Sequence, residues 1–316
     1  MSAPVTVENF ARAETDNYLA INEKQAGIGK LKHNREPADI DNQTVIRLNR
    51  DTLYSFGVFD LQAAPVTITL PDTGQRFMSM QIINEDHFAP FVFYGHEPRT
   101  LTQENVGTRY VMVAIRTLAD PNDPDDLAEV HKLQDAIQVS QASPGKLELP
   151  DWDPASLKEI RESLLVLASH ADGFVHAFGP KGEVDPVKHL IGTAAGWGGN
   201  PDKDATYLGK NVPNNDGKAA YTVTVRDVPV DAFWSISVYN EGGFFEKNPQ
   251  NAYSLNSLTA KKNEDGSITI RFGGDAGNLP NVLPIVPGWN YTVRLYRPRP
   301  EILDGTWKFP ELVPVD

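Results

Sequence analysis

Apolar residues recur at every second position in a series of short stretches separated by turn formers. This alternation restricts the chain to antiparallel β layers more than any other feature. Val66, Ile68 and Leu70 alternate with Thr67 and Thr69 ahead of the turn Pro71-Asp72-Thr73-Gly74. Phe77 to Ile83 and Tyr110 to Ile115 read as further strands, apolar on both faces in places. The same period returns at Tyr221, Val223 and Val225, then at Trp234, Ile236 and Val238. It continues at Ile268, Ile270 and Phe272 and at Tyr291, Val293 and Leu295. Alternate side chains on a strand face opposite ways, so each stretch offers one apolar face to a core. Many short strands with Gly- and Pro-rich turns predict a sandwich or jelly roll.

Two regions break the pattern. Residues 7–26 read as a helix capped by Thr6, with Phe10, Tyr18 and Ile21 near one face, ended by Gly27 and Gly29. Between 120 and 178, Pro124 opens a helix striped by Leu127, Val130, Leu133 and Ile137, and Asp153-Pro154 opens another carrying Ile160, Leu164 and Leu167. A chain of 316 residues exceeds the usual size of one core. The expected organisation is an N-terminal helix and connector (1–35), a first β-sandwich (36–119), a helical insert (120–190) and a jelly-roll-like β domain (191–316). The class is α+β, mainly β.

Charge and composition narrow the function. Lys plus Arg number 29 against 42 Asp plus Glu, a net charge of −13, which disfavours nucleic acid and anionic membrane as partners. The absence of cysteine excludes disulfides, thiolate metal sites and a thiol nucleophile. The start Met1-Ser2-Ala3-Pro4 lacks the basic and apolar run of a secretory signal. The aliphatic cluster Leu164–Ala168 falls far short of the ~20 residues that span a bilayer. A cytoplasmic protein is expected. There is no Gly-x-Ser-x-Gly, His-Glu-x-x-His, phosphate loop or dinucleotide fingerprint, so no cofactor is predicted.

Three groups of residues carry chemistry. Glu85-Asp86-His87 ends a strand; in extended backbone Glu85 and His87 share a face. His87 would then act as acid or base with Glu85 orienting it and Asp86 as a second carboxylate. The competing reading is a strand end with local hydrogen bonds. A divalent metal is compatible with the set, although no second His stands nearby at ligand spacing. Arg50 and Tyr54, behind an expected strand over 44–48, offer a planar guanidinium and a phenol to a substrate, while Asp51 and Thr52 brace a turn or pair with Arg50. Trp197, among the glycines of 196–201, either stacks on a ligand or plugs the core, and Tyr207 follows it. Trp234 reads as core; Ser235 and Tyr239 lie on the opposite strand face.

Several ordered motifs resemble known families. Asn49-x-Asp51-Thr52-x-Tyr54, Phe59-Asp60-Leu61 and Pro65-Val66 are similar to family 1254 of domains of unknown function. Phe233 to Tyr239, Asn248-Pro249, Tyr253, Asn281-x-Leu283-Pro284, Pro287-Gly288 and Arg294 to Pro298 resemble its companion, family 1214. The resemblance implies two dissimilar β-sandwich domains joined by a helical segment. It implies no activity. Related sequences often carry Arg before the Tyr of the Asn-Pro turn and Trp in the Asn-x-Leu-Pro motif; this chain has Ala252 and Val282.

The resulting expectation is an enzyme, a hydrolase or lyase, that cleaves a small polar organic molecule in a cleft between the two β domains. The alternative is a non-catalytic module for a sugar or other small ligand, with Trp197, Tyr207 and Tyr239 stacking on it. A third reading is an oligomeric structural protein, since jelly rolls often self-associate; a homo-oligomer is compatible with all three.

Overall fold

The alternating stretches become four sheets among the residues that the computed structural model describes, which are 2–43, 46–212, 214–274, 277 and 279–315. The chain divides into two units. Unit 1 takes the chain up to Arg35, Leu53–Ala119 and Pro124–Asp202; unit 2 takes Glu36–Thr52, Asp120–Asp123 and Lys203–Asp316. Two expected boundaries therefore move. The helical stretch after residue 123 groups with the first β layers rather than standing apart, and residues 36–52 group with the C-terminal β layers.

In unit 1 the strands are β1 (Leu31–His33), β2 (Thr52–Asp60), β3 (Val66–Thr69), β4 (Met78–Asn84), β5 (Phe91–Phe93), β6 (Arg99–Leu101), β7 (Tyr110–Leu118) and β8 (Gln138–Gln141). They form a sheet ordered β1-β2-β7-β4-β5 and a smaller one ordered β6-β3-β8. Ile68 and Leu101 of the small sheet meet Met80, Val113 and Ile115 of the large one in a shared core. Strand β7 is buried along its whole length, which explains its apolar residues on both faces. Its second face, with Tyr110, Met112 and Ala114, packs on Leu19 of helix α1 (Phe10–Ala26).

Helix α1 departs from its expected pattern. It starts at Phe10, because the Asn9 side chain takes up the Thr6 amide at 2.8 Å in the turn before it. Its buried residues are Phe10, Ala13 and Leu19 together with Glu14, Thr15 and Asp16, whereas Ile21 is exposed. The helices α2 (Gln103–Val106), α3 (Pro124–Asp135), α4 (Pro154–Ala168) and α5 (Pro186–Ala195) follow. Asp153 caps α4 by accepting from the Ser156 amide at 2.8 Å, ahead of Pro154 at the first helical position. Asp185-Pro186 opens α5 in the same way, through the amides of Val187 and Lys188. Phe10, Ala13, Leu157 and Leu164 bury together with Leu190 against them, tying α1, α4 and α5 into one layer.

Unit 2 contains β9 (Ala205–Asn211), β10 (Tyr221–Val225), β11 (Trp234–Tyr239), β12 (Ser254–Asn256), β13 (Ile268–Phe272), β14 (Val282–Leu283), β15 (Asn290–Tyr296), helix α6 (Pro300–Leu303) and β16 (Val313–Pro314). Two four-stranded sheets, ordered β12-β11-β15-β9 and β14-β13-β10-β16, enclose Val223, Ile236, Ile270, Phe272, Trp289 and Val293. The sheets are antiparallel in their registered pairs except β13 with β14, which run parallel. Mainly β, antiparallel architecture is thus what the alternation predicts. No helix among the described residues is long and apolar enough to cross a membrane.

Phe272 is fully buried at the centre of this core. Phe272→Ala is expected to cost about 3–5 kcal/mol through lost transfer energy and the cavity left behind, measured as a lower denaturant midpoint for the transition that reports on unit 2.

Candidate functional site

Strands β11 and β15 pair so that Trp234, Ile236 and Val238 lie opposite Leu295, Val293 and Tyr291, while Ser235, Ser237 and Tyr239 lie opposite Arg294, Thr292 and Asn290. One face is the apolar core. The other is polar, and all of its residues are buried. Segment 46–51 of the same unit accounts for that burial. Arg294 donates to Ser237 Oγ at 2.8 Å, to Tyr239 OH at 2.6 Å and to the carbonyls of Arg47 and Leu48 at 2.8 and 3.3 Å. Tyr239 OH in turn donates to Leu48 O at 2.8 Å. Arg47 donates to Asn290 Oδ1 at 2.8 Å and Thr292 Oγ1 at 3.2 Å, and Asn49 donates to Tyr296 OH at 2.8 Å.

Asp51 does not pair with Arg50. Its buried carboxylate accepts from Ser235 Oγ at 2.5 Å, and its amide donates to Asn49 Oδ1 at 2.8 Å, so Asn49 braces the turn. Burial pushes the Asp51 carboxyl up, opposed by the Arg294 charge and the Ser235 hydroxyl. Burial works against the Arg294 charge, but Tyr239, Tyr296 and Asp51 around it hold its pKa above the usual guanidinium value. Arg47 moves the other way: burial lowers it, and the like charge of Arg294 adds to the effect. Part of the strand expected over 44–48 lies outside the described residues; Ile46 and Arg47 form a turn, and β2 starts only at Thr52.

Beside this network is a small hollow of about 30 Å³ lined by Val238, Tyr239, Glu246, Lys247, Asn248, Ala252 and Tyr253, among others. Tyr239, Phe245 and Tyr253 form one aromatic cluster, with ring centroids 4.7 and 5.7 Å apart in succession. Arg50, only 9% exposed, holds its guanidinium 5.4 Å from the Tyr253 centroid. Arg47 and Arg294 lie 5.9 and 6.0 Å from the Tyr239 centroid. Each such cation–ring contact is worth about 0.5–2 kcal/mol, more when desolvated. Arg50 and Tyr239 thus enter one neighbourhood. Tyr207 stands on β9, 41% exposed.

The remaining candidates belong to unit 1. Asn84 to His87 is a tight turn rather than extended backbone: the His87 amide donates to Asn84 O at 3.0 Å, and His87 itself has φ 65°, in the left-handed region. Glu85 and His87 therefore do not pair as expected from a shared strand face. Glu85 accepts from the Tyr110 amide at 2.9 Å and from Arg12 at 3.3 Å, and Arg12 also clamps Asp86 at 2.6 Å. The His87 ring is 3% exposed. Thr193 Oγ1 spends its proton on His189 O at 2.8 Å, so it accepts from His87 Nδ1 at 2.8 Å; Nε2 accepts from the Gly198 amide at 2.8 Å. Both ring nitrogens are engaged in the neutral tautomer. Burial, with His189 close by, depresses the His87 pKa well below its ordinary value.

Trp197 stacks on Tyr18 at 4.3 Å and on His87 at 5.4 Å, and its indole N–H donates to Thr15 Oγ1 at 3.1 Å. It plugs the core of unit 1. Tyr54 stacks on Phe56 at 5.4 Å with the Arg116 guanidinium 5.4 Å from its centroid. The sequence pattern did not single out Asp16, which is 1% exposed. Trp152 Nε1 donates to Asp16 Oδ2 at 2.8 Å, while Oδ1 has no partner. Burial raises its carboxyl to about 6, opposed by the Trp152 hydrogen bond and assisted by Glu85 and Asp86. Among the described residues, no three His, Cys, Asp or Glu side chains converge as metal ligands.

Residues 28–89 match the model of DUF1254, and residues 206–300 match that of a protein of unknown function, DUF1214. The two-part resemblance of the sequence therefore stands, with DUF1254 in the N-terminal half and DUF1214 in the C-terminal half. A crystal structure of a Vibrio parahaemolyticus protein is similar over 98% of both chains, with TM-score 0.72 and 18% identity. A putative uncharacterized protein from Burkholderia cenocepacia is similar over 96% of this chain and 87% of its own, with TM-score 0.56 and 12% identity. At these identities the likeness is one of fold. No match is found among curated proteins.

Two opposed pH effects follow. The raised Asp16 pKa favours folding fully below its unfolded value near 4, and that contribution is lost as pH rises through about 6. The depressed His87 pKa does the reverse: its contribution is present above about 6.5 and lost as pH falls. Asp16→Asn keeps an acceptor for Trp152 and is expected to stabilise the protein at pH 7.5 by roughly 1–3 kcal/mol. It should also flatten the stability profile between pH 4 and 7, read by urea titration at each pH.

Proposed function

We propose that unit 2 binds a small organic molecule in the hollow walled by Tyr239 and Tyr253. The observation that carries this reading is the combination of that hollow with an adjoining, fully buried polar network. With room of only about 30 Å³, the hollow takes one small group of such a molecule and leaves the rest in solvent. Val238, Ala252 and the two rings supply apolar and π surface, and Asn248 and Lys247 supply polar groups at the same wall. The Arg294–Tyr239 hydrogen bond fixes the ring in place, so the site needs little ordering on binding.

Hydrolysis or elimination by Glu85, Asp86 and His87 is not part of the proposal. The two His87 nitrogens are already bonded, and the Glu85 carboxylate is taken up by Arg12 and the Tyr110 amide. Trp197 is likewise spent on Tyr18 and Thr15.

A thermal-shift screen of small polar and aromatic molecules tests the reading. Ligands are expected to raise the Tm of the wild type by several degrees, and Tyr253→Ala should remove most of that shift. Shifts of equal size in the variant would place binding elsewhere.

A further inference from the structure

We propose a second ligand site, on unit 1, that takes a small aromatic amine, with the ring on Leu70, Pro71 and Met78 and the ammonium on Asp72. It is separate from the hollow at Tyr253 and does not depend on it.

The space lies where two turns of unit 1 face each other. Leu70 directly follows β3, and the turn after it returns to Met78 at the start of β4; the loop after β5 brings Gly95 and His96 to the same place. Together they border a hollow of about 180 Å³. An apolar cavity of roughly 150 Å³ is enough for benzene, so this one has room for a single six-membered ring with a short arm. Its floor is apolar: Leu70 and Met78 are 3% and 4% exposed and belong to the core shared by the two sheets. The Met78 thioether favours an aromatic over an aliphatic body, because sulfur makes attractive contacts with ring edges.

The turn is set before any ligand arrives. Asp72 Oδ1 accepts from the Gly74 amide at 2.9 Å, Thr73 Oγ1 donates to Arg76 O at 2.7 Å, and the Arg76 amide donates to Thr73 O at 3.1 Å. Gly74 at φ 59° and Gly95 at φ 75° occupy left-handed positions, and a Cβ at either would meet open space. Phe77 and Tyr94, next to Met78 and Gly95 in sequence, pack with ring centroids 6.0 Å apart and hold the two segments together.

Charge selects the other end of the ligand. No Lys or Arg is among the residues that line the hollow, and Asp72 forms no ion pair among the described residues. Arg76, in the same turn, is committed to Asp126 at 3.1 Å and to Leu118 O at 2.7 Å. Asp72 Oδ2 and the lone pairs of Thr73 Oγ1 remain as acceptors, and His96, which bonds no described residue, adds a ring nitrogen when neutral. An ammonium group carries three donors and no acceptor, which suits a wall made of acceptors. An anionic ligand would meet Asp72 as a like charge.

The chain has four methionines, so methyl-labelled methionine gives a sparse NMR spectrum in which Met78→Leu assigns the Met78 signal. Benzylamine is titrated against benzyl alcohol, its uncharged relative of nearly the same shape. Both are expected to move the Met78 methyl signal through the ring current and to leave that of Met112, packed near Leu19, unmoved. Benzylamine should bind about threefold more tightly or better, the size expected of one partly screened ion pair, and high salt should narrow that margin. Asp72→Asn keeps an acceptor for the Gly74 amide and should bring the two probes to equal affinity, with the Met112 signal reporting that the variant is folded. The Met78 shift should persist in Tyr253→Ala. A Met78 methyl signal that benzylamine leaves unmoved overturns the site. Equal affinities in the wild type, or a preference that survives Asp72→Asn, overturns the amine assignment. Should Asp72→Asn not fold, a wild-type preference insensitive to salt overturns it instead.

Discussion

The burial of Arg294 governs the architecture of unit 2. Taking a guanidinium out of water carries an effective penalty of several kcal/mol unless its donors are met. The neighbouring strand β11 meets only part of that demand, through Ser237 and Tyr239. The rest comes from the carbonyls of Arg47 and Leu48, far away in sequence. To present them, Arg47 adopts φ 54°, a left-handed conformation that costs a non-glycine residue of order 1–3 kcal/mol. Its amide is held by Gly243 O at 2.8 Å, so the turn is tied down from the other side. Once the segment is in place, Asp51, Asn49 and Arg50 acquire their positions as a consequence.

Unit 1 solves a related problem with the signs reversed. Helix α1 turns an acidic face inward, and each carboxylate is met differently. Glu14 is paired with Arg161, Asp16 accepts one indole N–H, and Arg12 is shared between Glu85 and Asp86. The turn carrying His87 is thereby clamped from α1 and from α5 at once, through Arg12 and Thr193. A histidine so enclosed serves the packing of Trp197 and the glycine loop behind it.

Strand periodicity was legible because apolar alternation is a local signal: Trp234, Ile236 and Val238 turn inward as their spacing requires. Proline caps were equally local, and Asp185-Pro186 carries the signal that marked Asp153-Pro154. The polar half of the same strands misleads. Ser235, Ser237 and Arg294 occupy positions that alternation assigns to solvent, yet a distant segment covers them. Likewise Glu14 and Asp16 would be read as the wet side of an amphipathic helix, and only Arg161 and Trp152 reverse that. Glu85-Asp86-His87 looked extended because it follows β4, but the left-handed backbone of His87 folds the end of the strand back. Long-range hydrogen bonding decided the burial of the strand and helix residues, and no window of sequence contains it, whereas the His87 turn closes locally on Asn84.

Unit 2 is assembled from three separate stretches of chain, and the 206–300 match spans only part of one. A fragment cut to that match would keep both sheets' principal strands and lose residues 46–51, exposing Ser235, Ser237 and the Arg294 guanidinium to water. Most of its hydrophobic interior would remain, without Ile302 and Phe309, while the polar face of strands β11 and β15 became hydrated. The apolar pairing of the sheets and the cover over their polar face therefore come from different stretches of the polypeptide.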